Sequence, residues 1–293
     1  MLDGNAEHGG LERLMVEMRP RLHRYCARMV GSAMDGEDVV QEALTRAVEA
    51  YPSAGTIDRP DSWLFRIAHN AALDALRRRK RQTALLSGLQ FCGPAPDSAG
   101  TDARIGATAS LATLSVLSVP QRSSVVLIDV LGHSLAEAVD ILGVSPAALK
   151  AALHRGRMRL KELAAMPDHP SPKLTNQERD RVQAYADRFN ARDFDALRAL
   201  LAEDVRLELV NRTRLSGSKA VSVYFTRYDE GADWHLVAAM AENGPALWVR
   251  DPAGPAGDAG YVVILSWTDG RIAAIRDFRY APYVMDSLVV RPL

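Results

Sequence analysis

"SLAEAVDILGVSPAALKAALHRGRMRL", residues 134–160, is the stretch from which the rest of the chain is best read. Ser134 followed three residues later by Glu137 forms a capping box, in which side chain and backbone satisfy each other's orphan groups at a helix start. Gly143 is placed to end that helix in a left-handed conformation, which costs a residue without a Cβ little. Ser145 is then a natural N-cap, and Pro146 falls at the first helical position, where its missing N–H is harmless. Two short helices joined by a tight glycine turn, the second ending in His154, Arg155, Arg157, Arg159 and Lys161, make a helix-turn-helix pattern. Such hydrophobic spacing recurs in plain helical bundles. The two capped starts and the basic end tip the reading toward DNA.

The composition sets the frame. At 293 residues the chain has length for about two domains, and its formal net charge is +0. No global field draws it to nucleic acid, so any attraction must come from local asymmetry. The first residues, MLDGNAEHGGLERL, have neither a basic leader nor an apolar run, and no segment reaches the length of a membrane span. Cys26 and Cys92 have no metal-ligand spacing, so reduced thiols, a cytoplasmic location, no metal and no cofactor are expected.

Upstream, the periodicity from Leu11 to about Arg81 is helical. Leu14, Met18, Leu22, Tyr25, Met29 and Val30 form one stripe, and Val39, Val40, Ala43, Leu44, Ala47 and Val48 form another. Within "DGEDVVQEALTRAVE", residues 35–49, Asp38, Glu42 and Glu49 lie on a polar face with Gln41 beside them; read alone, this is a solvated helix face. "DSWLFRIAHNAALDALRRRKR", residues 61–81, opens with an aromatic and apolar cluster and ends in Arg77, Arg78, Arg79, Lys80 and Arg81. Its Trp63 suits either a core position or a surface for an unstacked base. The basic run suits either a helix end favoured by the macrodipole or a phosphate patch, and five consecutive cations repel one another unless an anion is near. Asn70 and Asp74, one turn apart, have the groups to hydrogen-bond base edges.

Downstream, the prolines of MPDHPSPKL mark a linker, and the pattern then changes class. Residues 175–201 are amphipathic and helical, VRLELV alternates as a strand, and GSKAVSVYFTRY reads as a helix. WHLVAAMAE, PALWVR, GYVVILSW and RIAAIRDFRY read as strands, the last two joined by a hairpin at Thr268-Asp269-Gly270. A curved antiparallel sheet beside helices gives α+β for this part.

Three stretches in this order, "EDVVQEALTRAVE", "RPDSWLFRIAHNAALDALRRRKR" and "LGHSLAEAVDILGVSPAALKAALHRGRMRLKEL", resemble bacterial sigma factors of the extracytoplasmic-function type. The resemblance implies a multidomain chain with two all-α domains followed by an α+β cone. It divides into sigma region 2 at 11–82, a flexible linker at 83–106, a region 4 helix-turn-helix at 107–165, a second linker at 166–176 and a C-terminal domain at 177–293. It implies core RNA polymerase and promoter DNA as partners. Asp38, Gln41 and Glu42 would dock on the polymerase clamp helices. Trp63, Arg66, Asn70, Asp74, Arg77, Arg78, Arg79, Lys80 and Arg81 would read and open the −10 element. Ser145, Ala148, Lys150, His154, Arg155 and Arg157 would face the −35 element. The family often carries a Thr and an Arg where this chain has Ala148 and Ala152, so fewer long polar side chains reach the bases and readout leans on the basic residues or on DNA shape.

"RFNARDFDALRALLAEDVRLELV" and "DGRIAAIRDFRYAPYV" resemble the SnoaL-like branch of the NTF2-like superfamily, whose members form a cone around a pocket. The candidate pocket residues are Tyr224, Trp234, His235, Trp248, Arg276 and Asp277. No spacing argues an acid/base pair, so the expectation is a non-enzyme whose last domain regulates in cis, through an intramolecular contact or a small ligand. Two other readings stay open: an autonomous helix-turn-helix regulator with a ligand-sensing domain, and an NTF2-like enzyme fused to a DNA-binding module.

Overall fold

The computed structural model describes residues 3–87, 110–165, 174–229, 234–242, 244–250 and 260–293. They fall into two compact units, residues 1–168 and 169–293.

The first unit opens with three helices, α1 (Asp3–Val30), α2 (Ala33–Ala50) and α3 (Pro60–Ser87). Ser32 caps α2 by accepting from the Asp35 N–H at 3.0 Å, and Gly31 makes the corner at φ 82°. A Cβ on Gly36 would lie 2.6 Å from the Ala27 Cα, so a glycine is needed where α2 crosses α1. The stripe of Met18, Leu22, Tyr25 and Met29 is buried against Val39, Val40, Ala43 and Leu44 of α2 and Leu64, Phe65 and Ala68 of α3. Tyr25 and His69 hydrogen-bond at 2.7 Å inside this core, where burial lowers the imidazole pKa to about 4. The first residues of the expected linker, 83–87, are the last turn of α3; its remainder, including Cys92, lies outside the described residues.

After it come α4 (Leu111–Ser115), α5 (Val119–Val125) continued by a π-helical turn (Val126–Val130), α6 (Leu135–Leu142) and α7 (Pro146–Ala164). The caps follow the sequence. Glu137 and Ser134 form the capping box, Gly143 takes φ 64°, and Ser145 accepts from the Ala148 N–H at 3.2 Å. A Cβ on Gly156 would meet Val125 Cγ2 at 2.8 Å, so α7 sits against α5 because that position is bare.

Leu114, Leu117, Val125, Leu127, Ile141, Leu149 and Leu160 join the same core as α1–α3. Arg122 of α5 is buried and donates to the carbonyls of Met29, Ser115 and Leu117, the last at 3.1 Å, so its side chain closes the C-terminal end of α1. Arg66 of α3 donates to the Asp140 carboxylate at 2.7 Å, and Phe65 stands edge-on to His133 at 4.7 Å.

The second unit begins with α8 (Asn176–Asn190), capped by Thr175 and Glu178, and α9 (Phe194–Ala199). A long strand β1 (Leu201–Leu209), β2 (Thr213–Ser216) and α10 (Ser218–Asp229) follow. Then come β3 (His235–Ala241), β4 (Gly244–Arg250), β5 (Gly260–Thr268), β6 (Arg271–Asp277) and β7 (Val290–Pro292). The sheet order is β2-β1-β6-β5-β4-β3-β7. The hairpin at Asp269-Gly270 forms with φ 51° and 78°, the positive values a two-residue turn needs. The sheet is not wholly antiparallel, because β1 runs parallel to β6. Those two strands are far apart in the chain, so no hairpin fixes their sense. Register breaks between Leu201 and Arg206 and between Ser266 and Trp267 mark the irregularities that let such a sheet bend. Val182, Tyr185 and Phe189 of α8 and Phe225 of α10 pack with Leu207, Leu247, Val263 and Ile275 to form the core.

Candidate nucleic-acid interface

The α2 face is held in place from behind. Buried Glu37 accepts from Arg19 at 2.5 Å, and the same guanidinium nitrogen donates to Gln41 at 2.7 Å. Asp38 and Gln41 are exposed, and Glu42 is half-buried toward α3. Between α2 and α3 lies a groove of about 480 Å³ with Val39, Ala75 and Leu76 along it and Asp38, Glu42 and Arg78 among its lining residues.

The acidic and basic features of the sequence meet across this groove. Glu42 accepts from Arg46 at 2.5 Å and from both nitrogens of Arg78, at 3.2 and 2.6 Å. Asp74 accepts from Arg46 at 2.9 Å and from Arg77 at 3.2 Å. The result is a chain of alternating charge, Arg78–Glu42–Arg46–Asp74–Arg77. The bond from Arg78 is the main cause holding the Glu42 carboxyl below its ordinary pKa, and the bond from Arg46 does the same for Asp74. Arg79 comes within 3.8 Å of Asp35, and Lys80 and Arg81 are exposed.

Along α3, Asn70 is exposed and faces away from the core. Trp63 is half-buried with Tyr51 edge-on at 6.4 Å, so the flat surface expected for an unstacked base is offered only in part. Two −10 expectations change. Asp74, expected to bond base edges, has its carboxylate engaged by two arginines, and Arg66 is engaged by Asp140.

On α7, Ser145, Ala148, Lys150, His154 and Arg155 are exposed, while Leu149, Ala152 and Leu153 face inward. Arg157 departs from the expectation. It makes a two-pronged ion pair with Asp129, at 3.0 and 2.6 Å, and the Asp129 side chain is 1% exposed. A buried carboxylate needs its partner, so Arg157 fastens the helix rather than facing a ligand. Sequence reading also missed Arg46 and Arg122, each the single basic residue of its helix, with no local signal.

In the second unit, Tyr224 and Asp277 come together with two tyrosines not singled out in the sequence. The Asp277 carboxylate is buried, accepts from Tyr224 at 2.8 Å and Tyr228 at 3.0 Å, and takes the Arg279 N–H at 2.8 Å. Tyr261 shares a hydrogen bond with Tyr228 at 2.9 Å. Burial raises the Asp277 pKa, against the pull of these donors, and raises those of the tyrosines. Trp234 borders the cluster, edge-on to Tyr228 and Tyr261. The other three candidates lie elsewhere. Arg276 alternates with Asp277 onto the opposite face and pairs with Glu208, Trp248 alternates with the inward Leu247 and Val249, and His235 is exposed at a strand end. Tyr228 sits one helical turn after Tyr224, a spacing that could have pointed to it. Among the described residues, no group of three or more His, Cys, Asp or Glu side chains could hold a metal ion, and no helix is long and apolar enough to cross a membrane.

Comparison with known families agrees with the arrangement. Residues 14–82 match Sigma-70 region 2, residues 111–160 match Sigma-70 region 4, and residues 182–275 match the SnoaL-like domain. The chain is 30% identical over 268 residues to the ECF RNA polymerase sigma factor SigG of Mycobacterium tuberculosis, covering 80% of this chain and 72% of that protein. It is 33% identical over 155 residues to the RNA polymerase sigma factor CarQ of Myxococcus xanthus, covering 52% and 87%. The crystal structure of the Mycobacterium tuberculosis extracytoplasmic function sigma factor SigJ aligns over 91% of this chain and 95% of that one, with 21% identity and a TM-score of 0.36. Two sigma regions in order, followed by a SnoaL-like domain, and a 30% identical ECF sigma factor of which 72% is covered make the chain a member of the ECF RNA polymerase sigma factor family.

Proposed function

We propose how the labour of a sigma factor is divided over this chain. The exposed face of α2, with Asp38, Gln41 and Glu42, docks on core RNA polymerase. Asn70 and the basic end of α3, Arg77 to Arg81, contact the −10 element, the arginines on phosphates and Asn70 on a base. The N-terminal half of α7 lies in the major groove of the −35 element through Ser145, Ala148, Lys150, His154 and Arg155. The domain boundaries follow the sequence reading except that α3 runs on to Ser87, with the SnoaL-like domain acting on the sigma regions in cis and catalysing nothing.

The observation that carries this reading is the outward face of α7. From Pro146 to Arg155 the helix, held from behind by Leu149 and Leu153, presents only small and basic side chains to solvent. Small residues allow close approach to thymine methyls, and the basic ones meet phosphate. A non-catalytic SnoaL-like domain is supported by the closed Asp277 cluster, in which protein groups already meet the carboxylate.

The DNA assignment of α3 has a direct test. Replacing Arg77 and Arg78 by alanine is expected to weaken binding to a forked −10 duplex. Its log–log salt slope should flatten by about 1.5, since each lost phosphate contact removes roughly 0.7 to 0.9. Fluorescence anisotropy from 50 to 300 mM salt, concentrations on the order of those where counterion release is resolved, gives the slope. A slope equal to that of the unaltered chain would remove these arginines from the interface.

A further inference from the structure

The second unit carries an alternating series of guanidinium groups and aromatic rings that the roles above leave unused. Arg212, in the turn between β1 and β2, lies 4.5 Å from the ring centroid of Tyr280. Arg279 lies 5.9 Å from Tyr280 and 4.6 Å from Trp234. The order across the surface is therefore Arg212, Tyr280, Arg279, Trp234. The series is braced. Asn211, at φ 67°, donates to the Tyr283 hydroxyl at 2.5 Å, which ties the turn bearing Arg212 to the segment bearing Tyr280. Trp234 is held edge-on by Tyr228 and Tyr261 at 6.2 and 6.1 Å.

Both arginines are exposed, and among the described residues neither has a carboxylate within ion-pair distance. Arg279 feels the buried Asp277 only at longer range. A guanidinium stacked on a ring uses its face and leaves its in-plane N–H edge available for an oxyanion. Both rings are half-buried, so part of each stays in reach of a flat group from solvent.

A matching ligand must supply anionic oxygens at two points and planar groups beside them. An acidic peptide supplies the anions but sets a plane beside each only where its sequence carries aromatics, and a lipid headgroup carries no aromatic plane. A single nucleic-acid strand supplies phosphates and bases in alternation, and stacking of this kind tolerates any sequence. We propose that the Arg212–Tyr280–Arg279–Trp234 series is a contact surface for single-stranded nucleic acid, separate from the promoter-reading helices. The proposal needs no polymerase and stands apart from the roles assigned to α2, α3 and α7.

The test uses the full chain in an Arg77→Ala, Arg78→Ala background, which reduces binding through α3. Adding Arg212→Ala and Arg279→Ala is expected to lower affinity for a mixed-sequence single-stranded oligonucleotide roughly tenfold at low salt. The salt slope should fall by about 1.4, at roughly 0.7 per phosphate on a single strand. Ultraviolet crosslinking should place the oligonucleotide on peptides containing Trp234 or Tyr280 and lose it in the variant. Unchanged affinity and slope overturn the proposal, as does loss of polyglutamate binding without loss of oligonucleotide binding. Should the alanine pair unfold the second unit, Arg212→Lys with Arg279→Lys is measured instead. It keeps both charges, so it should retain the slope and lose about threefold in affinity through poorer stacking. Unchanged affinity there also overturns the proposal.

Discussion

Replacing Arg122 by alanine is expected to destabilise the helical unit by about 3–5 kcal/mol, a large part of the roughly 5–15 kcal/mol that holds a native domain. The side chain is 6% exposed and bonds the carbonyls of Met29, Ser115 and Leu117. Alanine leaves these acceptors without their charged donor and opens a void beside them. Met29 lies in the last turn of α1, where the helix dipole presents partial negative charge to the guanidinium. Burial opposes the charge and lowers the Arg122 pKa, so the three carbonyls are what make the site tolerable. Urea denaturation followed by helical circular dichroism measures the loss. Because α4–α7 share a core with α1–α3, one transition moving to lower urea is expected. A midpoint within experimental scatter of the unaltered chain would mean that Arg122 does not join the two helix groups.

Neutralising Glu42 by glutamine is expected to act with opposite signs on two partners. In the proposed roles, Glu42 belongs to the polymerase-docking face and Arg78 to the DNA anchor, yet in the free chain they bond each other at 2.6 Å. Glutamine removes a docking charge, so retention on immobilised core polymerase should fall about tenfold. It also removes the anion that competes with phosphate for Arg78, so binding of the free chain to DNA should rise about three- to fivefold. Single exposed ion pairs contribute only about 0–1 kcal/mol, which sets that smaller gain. By reciprocity, polymerase and DNA binding help each other wherever docking draws Glu42 away from Arg78. A fall in both affinities would show that Glu42 matters only for the shape of the unit, and a rise in both would exclude it from the docking face.

What the sequence made legible was local. Ser134, Glu137, Gly143 and Ser145 signal the helix-turn-helix because each acts within a few residues of itself. Asp269-Gly270 signals its hairpin for the same reason. What stayed hidden was pairing at a distance. Arg46 reaches Asp74 across 28 residues and Arg78 reaches Glu42 across 36, and no spacing rule joins them. Arg157 looked like one more basic residue at a helix end until the fold placed Asp129 beneath it. The parallel pairing of β1 with β6 and the gathering of Tyr224, Tyr228, Tyr261 and Asp277 likewise depend on which elements become neighbours. The basic run at 77–81 changes meaning through this. In sequence it is a positive block; in the fold three of its arginines are already paired with carboxylates of α2 and α3.

Promoter-directed initiation under the influence of the SnoaL-like domain is testable by transcription in vitro. Purified core polymerase would be given fragmented genomic DNA from the source organism, with the full chain or a version ending at Leu163, and the 5′ ends of the transcripts sequenced. New start sites are expected at a fixed distance downstream of a shared pair of elements with both versions, in amounts that differ between them. Start sites no different from those of core polymerase alone would contradict the initiation role, and equal amounts from both versions would contradict regulation in cis.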